Sequence, residues 1–303
     1  MELIEAIKKA GVVGAGGAGF PTHVKLNAKA EYLIINAAEC EPLIETDKFL
    51  CREFADRIID TILLMGHHLE AQHIVIGLKA KYKAEIAALE KAIREKHAAV
   101  EIFPMRTFYP AGDEQVLVQQ VTGRSVPERG LPLNVGAVVE NVGTVLSIAD
   151  ALEDKPVTEK YLSVTGAVRE PVMFKVPLGT PIRRIINQVD LRVKDYAVII
   201  GGPMMGKSIP TDDLIITKDI NAILVIEDNF TRSLPCISCG KCLEVCPVGI
   251  YPAFIMKNIS NIKELECLKA DECIECGLCS YICPSKIEVR EFVKAAKEKV
   301  NNK

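Results

Sequence analysis

Apolar positions in the first third of the chain follow two spacings. One is the three-to-four-residue spacing of an amphipathic helix, and the other is the short continuous run of a buried strand. Helical spacing occurs in residues 2–10, 52–71 and 82–96, and strand-like runs occur at Tyr32–Asn36, His73–Gly77 and Val100–Phe103. Strands and helices that alternate in this way predict βαβ units and a mostly parallel sheet in an α/β domain.

The pattern changes near residue 155. Two strand-like runs separated by a Gly/Pro/Glu turn, a short helix and a further strand follow one another at Tyr161–Gly166, Val172–Val176, 181–188 and Ala197–Ile200. This is the order of a small β-grasp module, and the apolar stretch 214–227 is expected to lead the chain out of it. We therefore expect three domains: 1–152, 153–230 and a cysteine-rich domain at 231–303.

Composition narrows the class of protein. The 303 residues are 49% hydrophobic and 25% charged, with a formal net charge of -3, which argues against nucleic-acid binding. No apolar run is long enough to predict a transmembrane segment, and the N-terminus, with Glu2 and Glu5, does not resemble a signal peptide. A cytoplasmic protein is expected, in which eleven cysteines do not form a disulfide framework.

Eight of the cysteines form two identical motifs with the spacing C-x2-C-x2-C-x3-C-P. The first motif runs from Cys236 to Pro247 and the second from Cys273 to Pro284. In this spacing, typical of bacterial two-cluster ferredoxins, the fourth cysteine of each motif ligates the other cluster. The predicted ligand sets for two 4Fe–4S clusters are therefore Cys236, Cys239, Cys242 and Cys283 for one, and Cys246, Cys273, Cys276 and Cys279 for the other.

Zinc binding and buried free thiols are the alternatives for this region. Zinc sites use paired C-x2-C knuckles and do not need the x3-C-P element, so two clusters are favoured. Gly240 and Gly277 occupy the same position in each motif, where a side chain is expected to crowd the cluster. Cys267 lies outside both motifs and is interpreted as a small buried residue.

A glycine-rich loop lies between the first helix and the first strand. Gly14, Gly16 and Gly19 have the G-x-G-x-x-G spacing of a dinucleotide-binding loop, and Glu39 lies 20 residues beyond the last glycine. However, a helix precedes the loop and Pro21 follows it, whereas a Rossmann loop joins a strand to a helix. A loop that binds a phosphate or a flavin through backbone N–H groups remains compatible with the pattern.

The loop and the motifs that follow it resemble a known family. The segments are 14–22 with Lys25, 36–42, 109–114, 122–124, 130–132 and 140–144, followed by the region 161–206 and the two cysteine motifs. Together they resemble the NADH-binding flavoprotein subunit of respiratory complex I and, more closely, RnfC-like and PduS-like electron-transfer subunits. The resemblance implies a complex I flavoprotein-like FMN domain, a β-grasp (soluble-ligand-binding) module and a ferredoxin-type α domain.

The resemblance also implies the roles of individual residues. The implied FMN-binding residues are Gly14, Gly16, Lys25, Asn36, Tyr109, Gly112, Asp113 and Asn141, and Glu114 and Phe20 are the implied residues for catalysis and nucleotide contact. This chain has Ala38 where the complex I motif has an acid, and it lacks the aromatic residue that follows the lysine there. Both differences affect NADH binding more than FMN binding. From the length of the chain, the extra barrel-like domain of RnfC and PduS is expected to have no room here.

Two functions are compatible with these features. The first is an NADH-dependent oxidoreductase subunit that passes electrons between NADH, FMN and two 4Fe–4S clusters, to or from a partner such as ferredoxin, a corrinoid protein, a reductase or an electron-transferring flavoprotein. A peripheral membrane complex is compatible with this function. The alternative is a non-catalytic relay or adaptor subunit that holds clusters in a larger reductase and does not bind NADH.

Overall fold

The computed structural model describes residues 2–17, 19–228 and 232–302. Contacts divide the chain into two compact units, Met1–Glu227 and Asp228–Lys303. Within the described ranges, no helix combines the length and the apolar composition that a membrane span requires.

The first unit contains two sheets and eight helices among its described residues. Its helices are α1 (Leu3–Ala10), α2 (Thr22–Lys25), α3 (Thr46–Glu53), α4 (Ala55–Leu69), α5 (Lys83–Glu95), α6 (Glu114–Thr122), α7 (Val142–Leu152) and α8 (Ile182–Ile186). Its strands are β1 (Tyr32–Asn36), β2 (His73–Lys79), β3 (Glu101–Met105), β4 (Ala137–Asn141), β5 (Glu159–Gly166), β6 (Val172–Pro177), β7 (Tyr196–Ile200), β8 (Lys207–Ile209) and β9 (Ala222–Glu227).

The first sheet has the strand order β3-β2-β1-β4, and all of its pairs are parallel. This confirms the predicted α/β domain with a parallel sheet. Ile34 and Val139 point to a core that they share with α6, while Leu33, Ile35 and Val138 point to a larger core with α1, α4 and α7. Both faces of the sheet are therefore covered, as the continuous apolar runs require.

The helix predicted over residues 52–71 is two helices, α3 and α4. The break falls at Phe54, whose backbone is not helical (φ -127°, ψ 25°). The Phe54 ring packs on Tyr161 with centroids 5.5 Å apart, and Phe49 packs against both rings. Tertiary packing of aromatic rings from distant parts of the chain accompanies this break, and such packing has no local sequence signal.

The second sheet has the strand order β6-β5-β9-β7-β8, and α8 contributes Ile182, Ile185 and Ile186 to the core on one of its faces. The expectation that residues 214–227 lead the chain out of this region is wrong for their second half. Strand β9 lies in the middle of the sheet, parallel to β5 and antiparallel to β7. Ala222 to Val225 are buried, which explains why this strand is apolar at successive positions.

Hydrogen bonds connect the two sheets through the segment that follows β1. The Glu41 carboxylate accepts hydrogen bonds from the backbone N–H groups of Met204 (3.0 Å) and Met205 (2.5 Å). The Thr46 hydroxyl donates to the carbonyl oxygen of Asn221 at 2.8 Å. The end of β1, where Asn36 lies, is thus followed by a segment that the second sheet holds in place.

The second unit is built from short helices. They are α9 (Lys241–Glu244), α10 (Pro252–Lys257), α11 (Ile262–Cys267), α12 (Leu278–Tyr281) and α13 (Val289–Asn301). Ile255, Leu265 and Val293 form its small core together with Cys273. Cys267 is exposed at the end of α11, so its interpretation as a buried residue is wrong. Leu265, two residues earlier on the same helix, is the one that points into the core.

Candidate functional site

Asn36 and Asn141 lie at the same edge of the first sheet. They end β1 and β4, and the parallel register pairs them directly. The Asn36 side-chain amide donates to the carbonyl oxygen of Gly112 at 2.8 Å. The Asn141 side-chain oxygen caps α7 by accepting from the Gly143 N–H at 2.8 Å, which agrees with the preference of helix starts for asparagine. In parallel sheets, ligands bind beyond this carboxyl edge.

The glycine loop lies against this edge. Its base is closed by a hydrogen bond from the Gly14 N–H to the Phe20 carbonyl oxygen (2.8 Å), and the Ala15 N–H donates to the Thr144 hydroxyl (2.9 Å). The loop follows a helix, α1, and leads into the single turn α2. This order does not support a Rossmann site. The Glu39 carboxylate instead accepts from the backbone N–H of Asp47 at 2.8 Å in a buried position.

The glycines of the loop differ in their backbone conformation. Gly17 and Gly19 have φ values of 108° and 63°, a region that other residues rarely adopt. Gly14 and Gly16 have no such backbone conformation, and an added Cβ would meet no described atom closer than 3.5 Å and 3.6 Å, respectively. Within the described chain, neither conformation nor packing requires glycine at 14 and 16. Both positions therefore leave room for a group from outside the chain to approach the backbone.

Gly112 has an internal explanation. A Cβ at this position would lie 2.8 Å from the Cys40 Cβ and 3.3 Å from the Ala38 Cβ. The loop before α6 therefore approaches the segment after β1 too closely for any other residue. Asp113, the next residue, caps α6 by accepting from the N–H groups of Gln115 and Val116. The structure thus gives Gly112 and Asp113 roles in positioning this loop beside Asn36.

A group of charged residues lies beside the loop. The Lys25 ammonium at the end of α2 is 2.6 Å from a carboxylate oxygen of Glu114, the first residue of α6. Glu140 of β4, which the sequence analysis did not select, is close enough for both charges to affect it. Its side chain is buried, and its Oε1 has no hydrogen-bond partner among the described residues. The pKa of Glu140 is raised to about 7. Burial is the largest cause, the charge of Glu114 also raises this pKa, and the charge of Lys25 lowers it.

The remaining predicted residues are less well connected to this group. Phe20 is 51% exposed beside the loop, and Tyr109 is half-buried in the connection between β3 and α6. A buried carboxylate without a partner is costly unless a ligand or water satisfies it. The unpartnered Glu140 oxygen and the uncrowded Gly14 and Gly16 together fit a bound polar cofactor such as FMN.

A cavity of about 480 Å³ lies between helices α3 and α7 and the second sheet. It reaches Ala15 and Asn141, but Gly16, Lys25, Asn36, Gly112 and Glu114 do not line it. Burial raises the pKa of Asp47 in its wall to about 6, while the Asn141 amide lowers it. Burial also lowers the pKa of Lys160 to about 8. The cavity is thus separate from the group formed by Lys25, Glu114 and Glu140.

The eight motif cysteines of the second unit line two separate cavities. Cys236, Cys239, Cys242 and Cys283 line the first cavity. Cys246, Cys273, Cys276 and Cys279 line the second cavity. The fourth cysteine of each motif therefore lies with the first three of the other motif, which is the arrangement that the spacing predicts.

The backbone explains this exchange. In each motif a glycine with positive φ, Gly240 (77°) or Gly277 (80°), starts a single helical turn, α9 or α12. After that turn the chain carries the fourth cysteine to the other cavity. The positive φ, which side chains rarely adopt, is by itself a reason for glycine at both positions.

The two cavities have the donor chemistry that iron–sulfur clusters need. Burial raises the pKa of Cys273 to about 11 and that of Cys279 to about 12, so both thiols are neutral at pH 7 when no cation is present. Bound iron favours the thiolate and reverses this effect. The four cysteines that line each cavity match the ligand number of a 4Fe–4S cluster.

Comparisons with known proteins match both regions of the chain. Residues 7–150 match the Complex1_51K family, described as the Nuo51 FMN-binding domain. Residues 235–287 match a 4Fe-4S dicluster domain. The first match contains every predicted flavin-site residue, and the second contains all eight motif cysteines.

Curated relatives share more than a third of the residues over most of the chain. The RnfC protein of the ion-translocating oxidoreductase complex of Vibrio cholerae is 38% identical over 261 residues, which cover 82% of this chain and 34% of the relative. The cobalamin reductase PduS of Salmonella typhimurium is 38% identical over 263 residues, which cover 81% of this chain and 58% of PduS. The chain thus spans between one third and three fifths of the length of these relatives.

A solved structure shares the fold. A chain of an NAD+-reducing [NiFe]-hydrogenase in its H2-reduced state superposes with a TM-score of 0.65 at 20% identity, over 90% of this chain and 51% of the hydrogenase chain. The match shows that the fold of this chain is a known architecture. The chain belongs to the RnfC-like and PduS-like family of FMN and iron–sulfur electron-transfer subunits, related to the flavoprotein subunit of respiratory complex I.

Proposed function

We propose that the chain is an oxidoreductase subunit that passes electrons between NADH, FMN and two 4Fe–4S clusters, to or from a partner protein. The observation that carries this proposal is the presence of two complementary sites in one chain. One is the glycine loop beside Lys25 and the unpartnered Glu140, and the other is the pair of four-cysteine cavities. FMN, when bound, exchanges a hydride with a nicotinamide and single electrons with clusters.

The chain's own residues would bind and orient the flavin. Gly14 and Gly16 would let the backbone approach it closely, and Lys25 would place a cation beside its phosphate or ribityl end. Asn36 and Asn141 would hold the sheet edge against it, because their amides already fix Gly112 and the start of α7. The buried oxygen of Glu140 would accept a hydrogen bond from a hydroxyl group of the ligand.

Hydrogen bonds from the second sheet hold the segment after β1, which borders the proposed flavin site. We propose that the second sheet is part of a β-grasp module of residues 153–230, because a five-stranded mixed sheet packs against the single helix α8. Its bonds to Glu41 and Thr46 restrain the segment after β1, and hence the position of Asn36. We propose that the protein works in the cytoplasm, where reduced thiols are available to iron.

A relay subunit that does not bind NADH is the second candidate function. It is favoured by Ala38, which stands where the complex I motif has an acid. Both candidates need the clusters, and only the first needs a nucleotide to contact Phe20 and Glu114. Phe20 is exposed and could stack on a nicotinamide or adenine ring.

Flavin binding is tested by Gly16→Val. The branched side chain would occupy the space reserved for the ligand, and overpacking of about 1–3 kcal/mol should weaken FMN binding by about tenfold to a hundredfold. Flavin fluorescence after denaturation measures the FMN content, and iron analysis measures the clusters, which should be unchanged. Gly16→Ala is the matched control for folding, because its Cβ meets the Asn141 side chain only at 3.6 Å. Normal FMN content in Gly16→Val would disprove the loop's role.

Glu140→Gln tests the burial of this carboxyl group. The pKa of Glu140 is raised from 4.5 to about 7 in the folded state, so the folded state binds the proton more tightly than the unfolded state. The stability of the flavin-free protein should therefore fall by up to about 3 kcal/mol as pH rises from about 4.5 to about 7. Glutamine removes this loss, so the stability of the variant relative to the wild type should rise by about 2–3 kcal/mol between pH 5 and pH 8.

Urea unfolding followed by circular dichroism measures this difference, and Glu5→Gln serves as the control, since Glu5 is exposed on α1 and is not among the groups that shift the pKa of Glu140. Other titrating groups cancel when the variant is compared with the wild type at each pH. An equal stability difference at pH 5 and pH 8 would show that Glu140 is ionised and satisfied in the folded protein.

Phe20→Ala tests nucleotide binding. Loss of one stacking ring should raise the KM for NADH roughly three- to tenfold in an artificial-dye assay, while the FMN content stays normal. Leu214→Ala, which truncates an exposed apolar side chain on the second-sheet module, is the control and should leave the KM unchanged. If the wild type reduces no dye with either NADH or NADPH, the relay function replaces the first proposal.

Paired cysteine variants test the ligand sets. Cys246→Ser with Cys276→Ser removes two ligands from one proposed cluster, so the variant should keep about four irons per chain. Cys242→Ser with Cys246→Ser removes one ligand from each cluster and should lose more iron, because an oxygen ligand is weaker than a thiolate. Iron counts and EPR spectra that show the opposite order would mean that each motif ligates its own cluster.

A further inference from the structure

The two cysteine cavities differ in exposure. Cys239 of the first cavity is exposed, whereas Cys273 and Cys276 of the second cavity are buried. The segment 232–239, which leads into the first motif, is exposed at every position except the half-buried Cys236. The first cavity therefore has the more exposed cysteine edge, which another protein can approach from solvent.

Exposed apolar and basic residues surround this edge. We call Leu234, Ile237, Lys241, Lys257 and Lys286 the first-cluster face. Leu234 and Ile237 are 62% and 67% exposed, which is unusual for large apolar side chains, and the three lysines are also exposed. Exposed apolar groups with a charged rim are typical of protein interaction sites.

Hydrogen bonds hold the face together. The Lys257 ammonium donates to the Ser238 hydroxyl at 2.9 Å, next to Ile237. The Leu234 N–H donates to the Ser285 carbonyl oxygen (2.9 Å), and the Ser285 hydroxyl donates to the Pro235 carbonyl oxygen (3.0 Å), which brings Lys286 beside Leu234. Ile237 and Lys241 themselves line the first cavity. These five residues are thus neighbours around one cluster edge.

The segments that supply the cysteines of the first cavity carry a net positive charge, whereas the acids of segment 262–279 at the second cavity are partly balanced by Arg290, Lys294 and Lys297. In segments 232–257 and 283–286, the bases Arg232, Lys241, Lys257 and Lys286 accompany a single acid, Glu244. In segment 262–279, the acids Glu264, Glu266, Asp271, Glu272 and Glu275 accompany Lys263 and Lys269. A positive surface beside an exposed cluster edge attracts negatively charged partners and excludes basic ones.

We propose that the first-cluster face is the docking surface for a small acidic protein that carries single electrons. The proposal rests on the proposed function, because it needs a cluster in the first cavity. The exchange moves one electron between that cluster and the carrier, so one is oxidised as the other is reduced, and no bond is made or broken. Electron-transfer encounters of this kind bury less than about 1,200 Å² and are transient, which suits a small face.

Anionic lipid is the other surface that exposed leucine and lysine residues could contact. An electron carrier is favoured because the exposed Cys239 lies among the basic and apolar residues of the first-cluster face. A membrane surface would cover the cluster edge and accept no electron from it. Binding to lipid is therefore one of the outcomes that the experiment must separate.

The experiment uses the full chain with both clusters and an acidic [2Fe–2S] ferredoxin as the probe. Calorimetry with a redox-inactive, gallium-substituted ferredoxin gives the Kd. Stopped-flow mixing of the dithionite-reduced chain with the oxidised iron ferredoxin gives the rate. Lys241→Glu with Lys286→Glu should raise the Kd at least about tenfold, and the wild-type rate should fall as salt rises from about 50 to about 500 mM.

Lys263→Glu with Lys299→Glu is the matched control in the same unit. It changes the net charge equally at two exposed residues that line neither cavity, and its Kd should stay within about twofold of the wild type. Iron content and EPR spectra should be the same in all three proteins. Equal losses in both double variants, or a rate that is independent of salt, would overturn the proposal.

Two further results separate the remaining explanations. Wild-type protein that sediments with phosphatidylserine-containing vesicles but does not bind the ferredoxin would assign the face to lipid and overturn the proposal. Dithionite reduces the clusters without NADH or FMN, so a failure of the flavin or nucleotide assignments leaves this experiment unaffected. Protein that carries no cluster in its first cavity would overturn both the docking surface and the proposed function.

Discussion

The parallel pairing of β1 with β4 is the interaction on which the proposed flavin site depends. It brings Asn36 and Asn141, which are more than a hundred residues apart in sequence, to the same edge of the sheet. Asn141 then starts α7, Thr144 of α7 binds the glycine loop, and Asn36 holds the loop that precedes α6. The glycine loop, α7 and the loop before α6 are thus positioned by these two strand ends, so a shift in the register of β1 against β4 would move them apart.

The positions of the cysteines in the two cavities are determined by local backbone geometry and not by strand pairing. A glycine with positive φ and a single helical turn occur at the same place in each motif, and the chain then delivers its fourth cysteine to the other cavity. This arrangement could be predicted from the sequence because the spacing specifies it. Three strands of the first sheet, β1, β2 and β3, were also predicted from their apolar runs, and β1 begins and ends where its run does. Strand β4 was not predicted, although its pairing with β1 forms the site.

Other features depended on contacts that the sequence does not display. Glu140 has no signal in the sequence, because only the packing of β4 shows that its carboxyl group is buried without a partner. The break at Phe54 accompanies the distant Tyr161 ring, and the central position of β9 reflects its pairing with β5 and β7. Gly112 fits the resemblance as a flavin residue, yet the close approach of Cys40 explains it without a ligand. Tertiary packing is the common cause of these differences.

The central claim is that one chain holds a flavin and two clusters. An anaerobic reductive titration of the purified protein tests it most directly, with the flavin and cluster absorbances followed together. A flavin accepts two electrons and each 4Fe–4S cluster accepts one, so about four electron equivalents per chain should be consumed as both absorbances bleach. Protein reconstituted with FMN, iron and sulfide that consumes only about two equivalents, without flavin bleaching, would contradict the account.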